Sequence, residues 1–296
     1  MISLRLASIL FLTLWLALTF QNNPLAAEES PRQKANQPNP DVTEYPTLED
    51  LFTLYQPYLD NISPYEPIYF LIGANPERSK FQFSFRYRLL NSNGPLAAGN
   101  SWVKGLHFGY TQTSFWDLKS DSAPFEDTSY KPELFHLTDN LAWRPSWLKG
   151  LFLQSGLLHE SNGQAEDLSR TTNILYLKPI AILYDQENGL GLQVVPKIWF
   201  YFRNSEEHNK DLPDYRGYFE LGVKAGEADG LVTTTALRWA REGGSIQVDF
   251  DLPIHGSLSE NLEIYLHCQY VNALAESMLH YRERTEAFRI GISFIR

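Results

Sequence analysis

The chain runs to 296 residues, 43% hydrophobic and 14% aromatic, with a formal net charge of -10. That size suits one large β-rich domain, with or without a tail, and the aromatic load is high for a soluble protein but ordinary for an outer-membrane barrel with aromatic girdles. The acidic balance argues against nucleic acid as a partner, and a single cysteine, Cys268, rules out an intrachain disulfide and any zinc site built on cysteine pairs.

The N-terminus reads as an export signal. In MISLRLASILFLTLWLALTFQNNPLAAEE, Arg5 precedes an apolar run from Ile9 to Phe20, and Leu25-Ala26-Ala27 stands before two acids. These are a basic n-region, an h-region and a small-residue cleavage site, and the run is short for a spanning helix. Residues 1–27 are expected to be removed. Residues 28–62 are mostly polar and Pro-rich, with too little apolar surface to offset ordering entropy. Disorder is expected there, apart from a short amphipathic helix carried by Leu48, Leu51, Phe52, Leu54 and Tyr55 and ending before Pro57.

From Lys80 onward the pattern is that of strands. In KFQFSFRYRLL, Phe81, Phe83, Phe85, Tyr87 and Leu89 alternate with Gln82, Ser84, Arg86 and Arg88, a period of two. Ten further segments follow, punctuated by Gly, Asn, Asp, Ser or Pro: 105–116, 130–138, 151–160, 172–184, 189–202, 217–226, 232–242, 245–253, 262–271 and 286–296. Eleven runs predict an all-β, transmembrane antiparallel β-barrel of about 12 strands, spanning 63–296. The competing architecture is a soluble sandwich, in which the same apolar face would be the core. The export signal, the aromatic load and an alternating last strand, with Phe288, Ile290, Ile292 and Phe294 on one face, favour the barrel.

The stretch LLHESNGQAEDLSRTTNILYL interrupts this pattern. Leu153, Leu157, His159 and Ser161 share one parity, as do Asn173, Leu175 and Leu177 on the next strand. If the leucines face lipid, His159, Ser161 and Asn173 face outward near the bilayer edge. Polar groups placed there cost several kcal/mol unless they satisfy one another. A hydroxyl beside an imidazole is a nucleophile with its general base, and a carboxamide can orient the ring. A site on the lipid face suits an acyl ester already in the membrane. H-x-S alone is a weak pattern, and a turn with a surface histidine on a porin-like, non-enzymatic barrel is the alternative.

HESNGQAEDLSRTTN, however, resembles the H-x-S-N-G signature and following Asn of the outer-membrane phospholipase A family. YTQTSFWDLKSDSAPFEDTSYKPELF (110–135) is similar to a second block of that family. SPYEPIYFLIG and KFQFSF resemble its N-terminal region and first strand, and ESMLHYR the stretch before its last strand, so the resemblance covers residues 63–296. It implies a twelve-stranded outer-membrane barrel that hydrolyses acyl esters of phospholipids and lysophospholipids, with calcium and on homodimerisation. It further implies Ser161 as nucleophile, His159 as base and Asn173 as orienting residue, with the amides of Ser161 and Gly163 at the oxyanion. Calcium would take the Ser169 hydroxyl, the Gln164 carbonyl and the Ser122 carbonyl of the second subunit, oxygen ligands of the kind this ion prefers. Gln112 would lie at the subunit interface. The sequence departs from better-known members at Thr172 and Ile174, which flank the Asn where those carry Trp and Arg, at Glu126, where Arg is usual, and at Arg296 in place of a terminal Phe.

Overall fold

The alternation read from sequence is realised as a closed sheet. The computed structural model describes residues 61–91, 94–205, 207–254 and 264–296. The expected export signal (1–27) and the expected helix around residues 48–56 lie outside the described residues. In chain order the strands are β1 (Ile62–Ser63), β2 (Ile68–Gly73), β3 (Ser79–Arg88), β4 (Leu106–Trp116), β5 (Phe125–Leu137), β6 (Gly150–Ser161) and β7 (Thr171–Tyr184). They continue with β8 (Leu190–Asn204), β9 (Phe219–Glu227), β10 (Val232–Ala240), β11 (Gly243–Pro253), β12 (Tyr265–Leu274) and β13 (Arg284–Ile295). Two five-residue helices, α1 (Pro95–Gly99) and α2 (Leu212–Arg216), sit in connections.

Sequential strands pair antiparallel from β2 to β13, and β13 pairs back onto β2, closing a barrel of twelve strands. The two-residue β1 adds to β3 beside this ring. Closure leaves no sheet edge within the ring to be satisfied in hydrocarbon, and it replaces the two-sheet sandwich. Described strands answer all eleven periodic runs. The twelfth is β2, IYFLIG, whose continuous apolar run hides its period. Tyr69 and Leu71 are buried toward the lumen while Ile72 is exposed. Three prolines, Pro132, Pro179 and Pro196, sit in mid-strand, where proline is ordinarily excluded. The β7–β8 ladder breaks between Leu177↔Ile198 and Ala181↔Val194, an interval holding Pro179 on one strand and Pro196 on the other, so both missing N–H groups fall in one gap.

The two faces differ in chemistry. Outside are Phe83, Leu134, Leu157, Leu175, Phe200, Phe250, Phe288, Ile290 and Phe294, all exposed, as a lipid-facing band requires. Inside are buried charges, paired with one another as buried charges must be. Lys80 Nζ and Arg289 Nη1 lie 3.2 and 2.7 Å from Glu276 Oε1. His267 donates to Asp251 at 2.7 Å and approaches Asp249 at 3.1 Å. Beside these lies an apolar cluster of Phe135, Leu158, Ile174, Tyr176 and Trp199, also on the lumen side.

Glu276 belongs to the connection between β12 and β13. Burial alone would raise its carboxyl, but the Lys80 ammonium and the Arg289 guanidinium outweigh burial and hold it at about 2, below the ordinary 4.5. A depressed carboxyl stabilises the fold fully above its unfolded value and loses that contribution as pH falls toward the folded value. Unfolding by guanidinium in detergent micelles should therefore lose on the order of 3 kcal/mol across the window from about 4.5 to about 2. Glu276→Gln should be less stable at neutral pH and flatter across that window. Separately, Phe135→Ala should cost about 3 kcal/mol in the same assay by opening a cavity in the lumen cluster.

Candidate active site

β6 and β7 carry the predicted residues, and their register places them together. His159 pairs with Asn173 and Ser161 with Thr171 across the ladder. Gln154, Leu158, Glu160, Thr172, Ile174 and Tyr176 are buried toward the lumen. The alternate residues point out, with Leu157 and Leu175 each 49% exposed. His159 is exposed on that outer face, and Ser161 and Asn173 are half-buried.

The hydrogen bonds define a direction. His159 Nδ1 lies 2.9 Å from Asn173 Oδ1. The Asn173 amide is oriented independently, because its Nδ2 donates to the Arg203 carbonyl at 3.0 Å. With Oδ1 thus left as the acceptor, Nδ1 carries the proton and Nε2 carries the lone pair. Nε2 takes no hydrogen bond among the described residues. Ser161 Oγ accepts the Gly163 amide at 3.2 Å.

The wall under the pair is closely packed. Leu158 and Ile174, immediate neighbours of His159 and Asn173, pack with Phe135, Tyr176 and Trp199. Glu160, between His159 and Ser161, points inward, takes hydrogen bonds from Ser129 Oγ and Arg216 Nη1 at 2.5 Å each, and has Lys131 Nζ at 3.8 Å.

The loop after Ser161 is organised by Asn162, which is buried. Its Nδ2 donates to the Leu168 carbonyl at 2.9 Å. Its Oδ1 accepts the amides of Arg170 at 2.9 Å and Gln164 at 3.4 Å. Gly163 has φ +66°, and a Cβ there would lie 2.9 Å from the Tyr130 ring, so glycine is required on both counts. Gln164 and Ser169 are brought into this one loop, together with the exposed carboxylates of Glu166 and Asp167. Hydroxyl and carbonyl oxygens with acidic neighbours fit a hard cation such as calcium. Ser122 lies in the β4–β5 connection at φ 68°, away from that loop in sequence. Gln112 faces outward on β4. It accepts from Tyr110 Oη at 3.1 Å and donates to Ser114 Oγ at 3.3 Å, and Thr128 Oγ1 donates to Ser114 at 3.0 Å. Trp116 belongs to an aromatic cluster with Phe70, Phe81 and Phe125.

Three residues that single-sequence reasoning passed over belong to this region. Tyr130 pairs with both Gln112 and Ser161, linking the polar strip to the Ser161 position. Its signal was its place in the 110–135 block. Asn162 stood within the HESNG motif as a spacer. Arg203 carried no signal, because its place depends on the register of β8.

The class is defined by these observations: a closed outer-membrane β-barrel with a Ser–His–Asn set on its exterior wall. The model of the Phospholipase A1 family matches residues 57–294, and the chain belongs to that family. A putative phospholipase A1 of Neisseria meningitidis is 30% identical over 197 residues, 64% of this chain and 48% of that one, so the chain spans about half the length of this relative. The phospholipase A1 of Salmonella typhimurium is 30% identical over 230 residues, 74% of this chain and 70% of that one. The outer membrane phospholipase of Salmonella typhi, solved as a dimer with bound calcium, shares the fold at a TM-score of 0.64 and 23% identity, covering 79% of this chain and 92% of that one.

Removing the Asn162 carboxamide should unfasten this loop without unfolding the barrel. Asn162→Ala is expected to raise the rate of limited proteolysis within 162–170 by an order of magnitude or so, the equivalent of the roughly 1–3 kcal/mol lost with such hydrogen bonds. Heat-modifiable migration in gels should persist.

Proposed function

We propose that this chain is a calcium-dependent phospholipase of the outer membrane, hydrolysing acyl esters of phospholipids and lysophospholipids through Ser161, His159 and Asn173 and activated by homodimerisation. The observation that carries this reading is the His159 Nδ1–Asn173 Oδ1 contact on the lipid-facing wall, two residues from Ser161. With the proton on Nδ1, Nε2 takes the proton of the Ser161 hydroxyl as Oγ attacks the ester carbonyl. The Asn173 carboxamide orients the imidazolium that forms, less strongly than a carboxylate would. The amide N–H groups of Ser161 and Gly163 stabilise the oxyanion. Collapse expels the lysophospholipid alkoxide, which takes the proton from Nε2–H. Water, deprotonated by the same nitrogen, then releases the fatty acid and restores Ser161.

The Ser169 hydroxyl and the Gln164 carbonyl would hold calcium, with the Ser122 carbonyl of the partner subunit completing the set. When bound, the ion supplies positive charge to the developing oxyanion. Incomplete coordination in a monomer is the reason pairing switches the enzyme on. The outward polar groups of Tyr110, Gln112 and Thr128, with Ser114 buried among them, support a subunit interface, since such groups are poorly accommodated by lipid.

Ser161→Ala should reduce fatty-acid release from phospholipid mixed micelles by at least about a thousandfold while leaving the barrel folded; undiminished release would remove Ser161 from the nucleophile role. Chelation should abolish both release and chemical cross-linking of the dimer. A chelated protein that still cross-links and turns over would exclude the assigned shell.

A further inference from the structure

β8 contains a bulge beside the proposed triad. The pairs Asn173↔Arg203 and Ile174↔Tyr201 leave Phe202 as the extra residue. Along β8, Trp199 is buried toward the lumen, Tyr201 follows it inward in register with Ile174, and Phe200 is exposed outside. By simple alternation Arg203 would follow Tyr201 into the lumen. The extra residue shifts the phase, so that Arg203 stands beside outward-facing Asn173 and is exposed, and Asn204 turns inward to meet Thr172 Oγ1. Bulges next to active sites commonly re-aim a side chain in this way.

The guanidinium so placed takes no hydrogen bond and no carboxylate among the described residues. Two other arginines, Arg170 and Arg282, are already engaged. Arg170 donates to the carbonyls of Asp167 and Ser169 and lies over the Tyr281 ring. Arg282 forms a two-pronged ion pair with Asp211. Arg203 is held at its backbone, where its carbonyl accepts from Asn173 Nδ2 at 3.0 Å, while its side chain has no partner among the described residues. Its Cα lies two strand spacings from that of His159, roughly 10 Å, within reach of a long side chain for a group bound one glycerol unit from the reacting ester. Phe200 and Phe202 flank it with exposed apolar surface.

We infer that Arg203 is a specificity-determining residue that binds the phosphodiester of the substrate headgroup. Guanidinium suits this ligand because its planar donors match two phosphate oxygens, and the phosphate is shared by phospholipid and lysophospholipid whatever the headgroup beyond it. This rests on the proposed phospholipase reading and adds to it a headgroup subsite.

The test compares wild type, Arg203→Gln and Arg203→Lys on a phosphatidylcholine and on a phosphate-free p-nitrophenyl acyl ester in the same micelles. Arg203→Gln is expected to lower the ratio of kcat/KM for phospholipid over neutral ester by roughly tenfold or more, chiefly through KM, as loss of a charge-assisted hydrogen bond does. Arg203→Lys should recover part of that ratio, because the charge remains and the fork is lost. Equal losses on both esters would overturn the proposal in favour of a structural role beside Asn173, and an unchanged ratio would overturn it outright. Wild type that cleaves neither ester would instead overturn the phospholipase reading, and the subsite with it.

Discussion

Strand β6 can point its residues in only two directions, and Glu160 occupies one of them. Its carboxylate is fastened inside the barrel by Arg216 and Ser129 at 2.5 Å each. With Glu160 committed inward, the residues on either side, His159 and Ser161, face the exterior together. A one-residue slip would drive both into the lumen; it would also turn the Glu160 carboxylate out toward lipid and leave the buried Arg216 guanidinium without its partner, at a cost of several kcal/mol. The lumen ion pair therefore acts as a register lock for the side chains on the opposite face of the wall.

The same economy extends around the site. Leu158 and Ile174, the inward neighbours of His159 and Asn173, form part of the lumen cluster with Phe135, Tyr176 and Trp199. The outward side chains are thus mounted on a packed wall rather than on a flexible loop. Only the segment after Ser161 leaves the ladder, and there Asn162 replaces sheet hydrogen bonds with its own carboxamide bonds to Leu168, Gln164 and Arg170. Loop residues that would contribute carbonyl or hydroxyl oxygens to a cation are in this way tied to the strand that carries Ser161.

In the proposed reading, this barrel inverts the usual location of a hydrolase site. Its interior is filled with paired charges such as Lys80, Glu276 and Arg289, and the acyl ester is a component of the surrounding solvent, the bilayer itself. The polar strip centred on Gln112 reaches Ser161 through Tyr130, one strand away, so a protein surface covering the strip would also cover the approach to Ser161.

Much of this was legible in the chain alone. Period-two alternation determined which residues share a face, and therefore that His159, Ser161 and Asn173 keep company with Leu157 and Leu175, because side-chain direction along a strand is a local property. The family motifs supplied roles for them. Strand β2 escaped because both of its faces are largely apolar, and the mid-strand positions of Pro179 and Pro196 made sense only once they fell in one gap of the β7–β8 ladder. Only the tertiary structure decided what depends on register between strands: that Asn173 Nδ2 is held by the Arg203 carbonyl, that Tyr130 bridges Gln112 and Ser161, and that an extra residue at Phe202 swings Arg203 outward. Pairing partners lie on different strands, and a bulge is visible only where two strands are counted against each other.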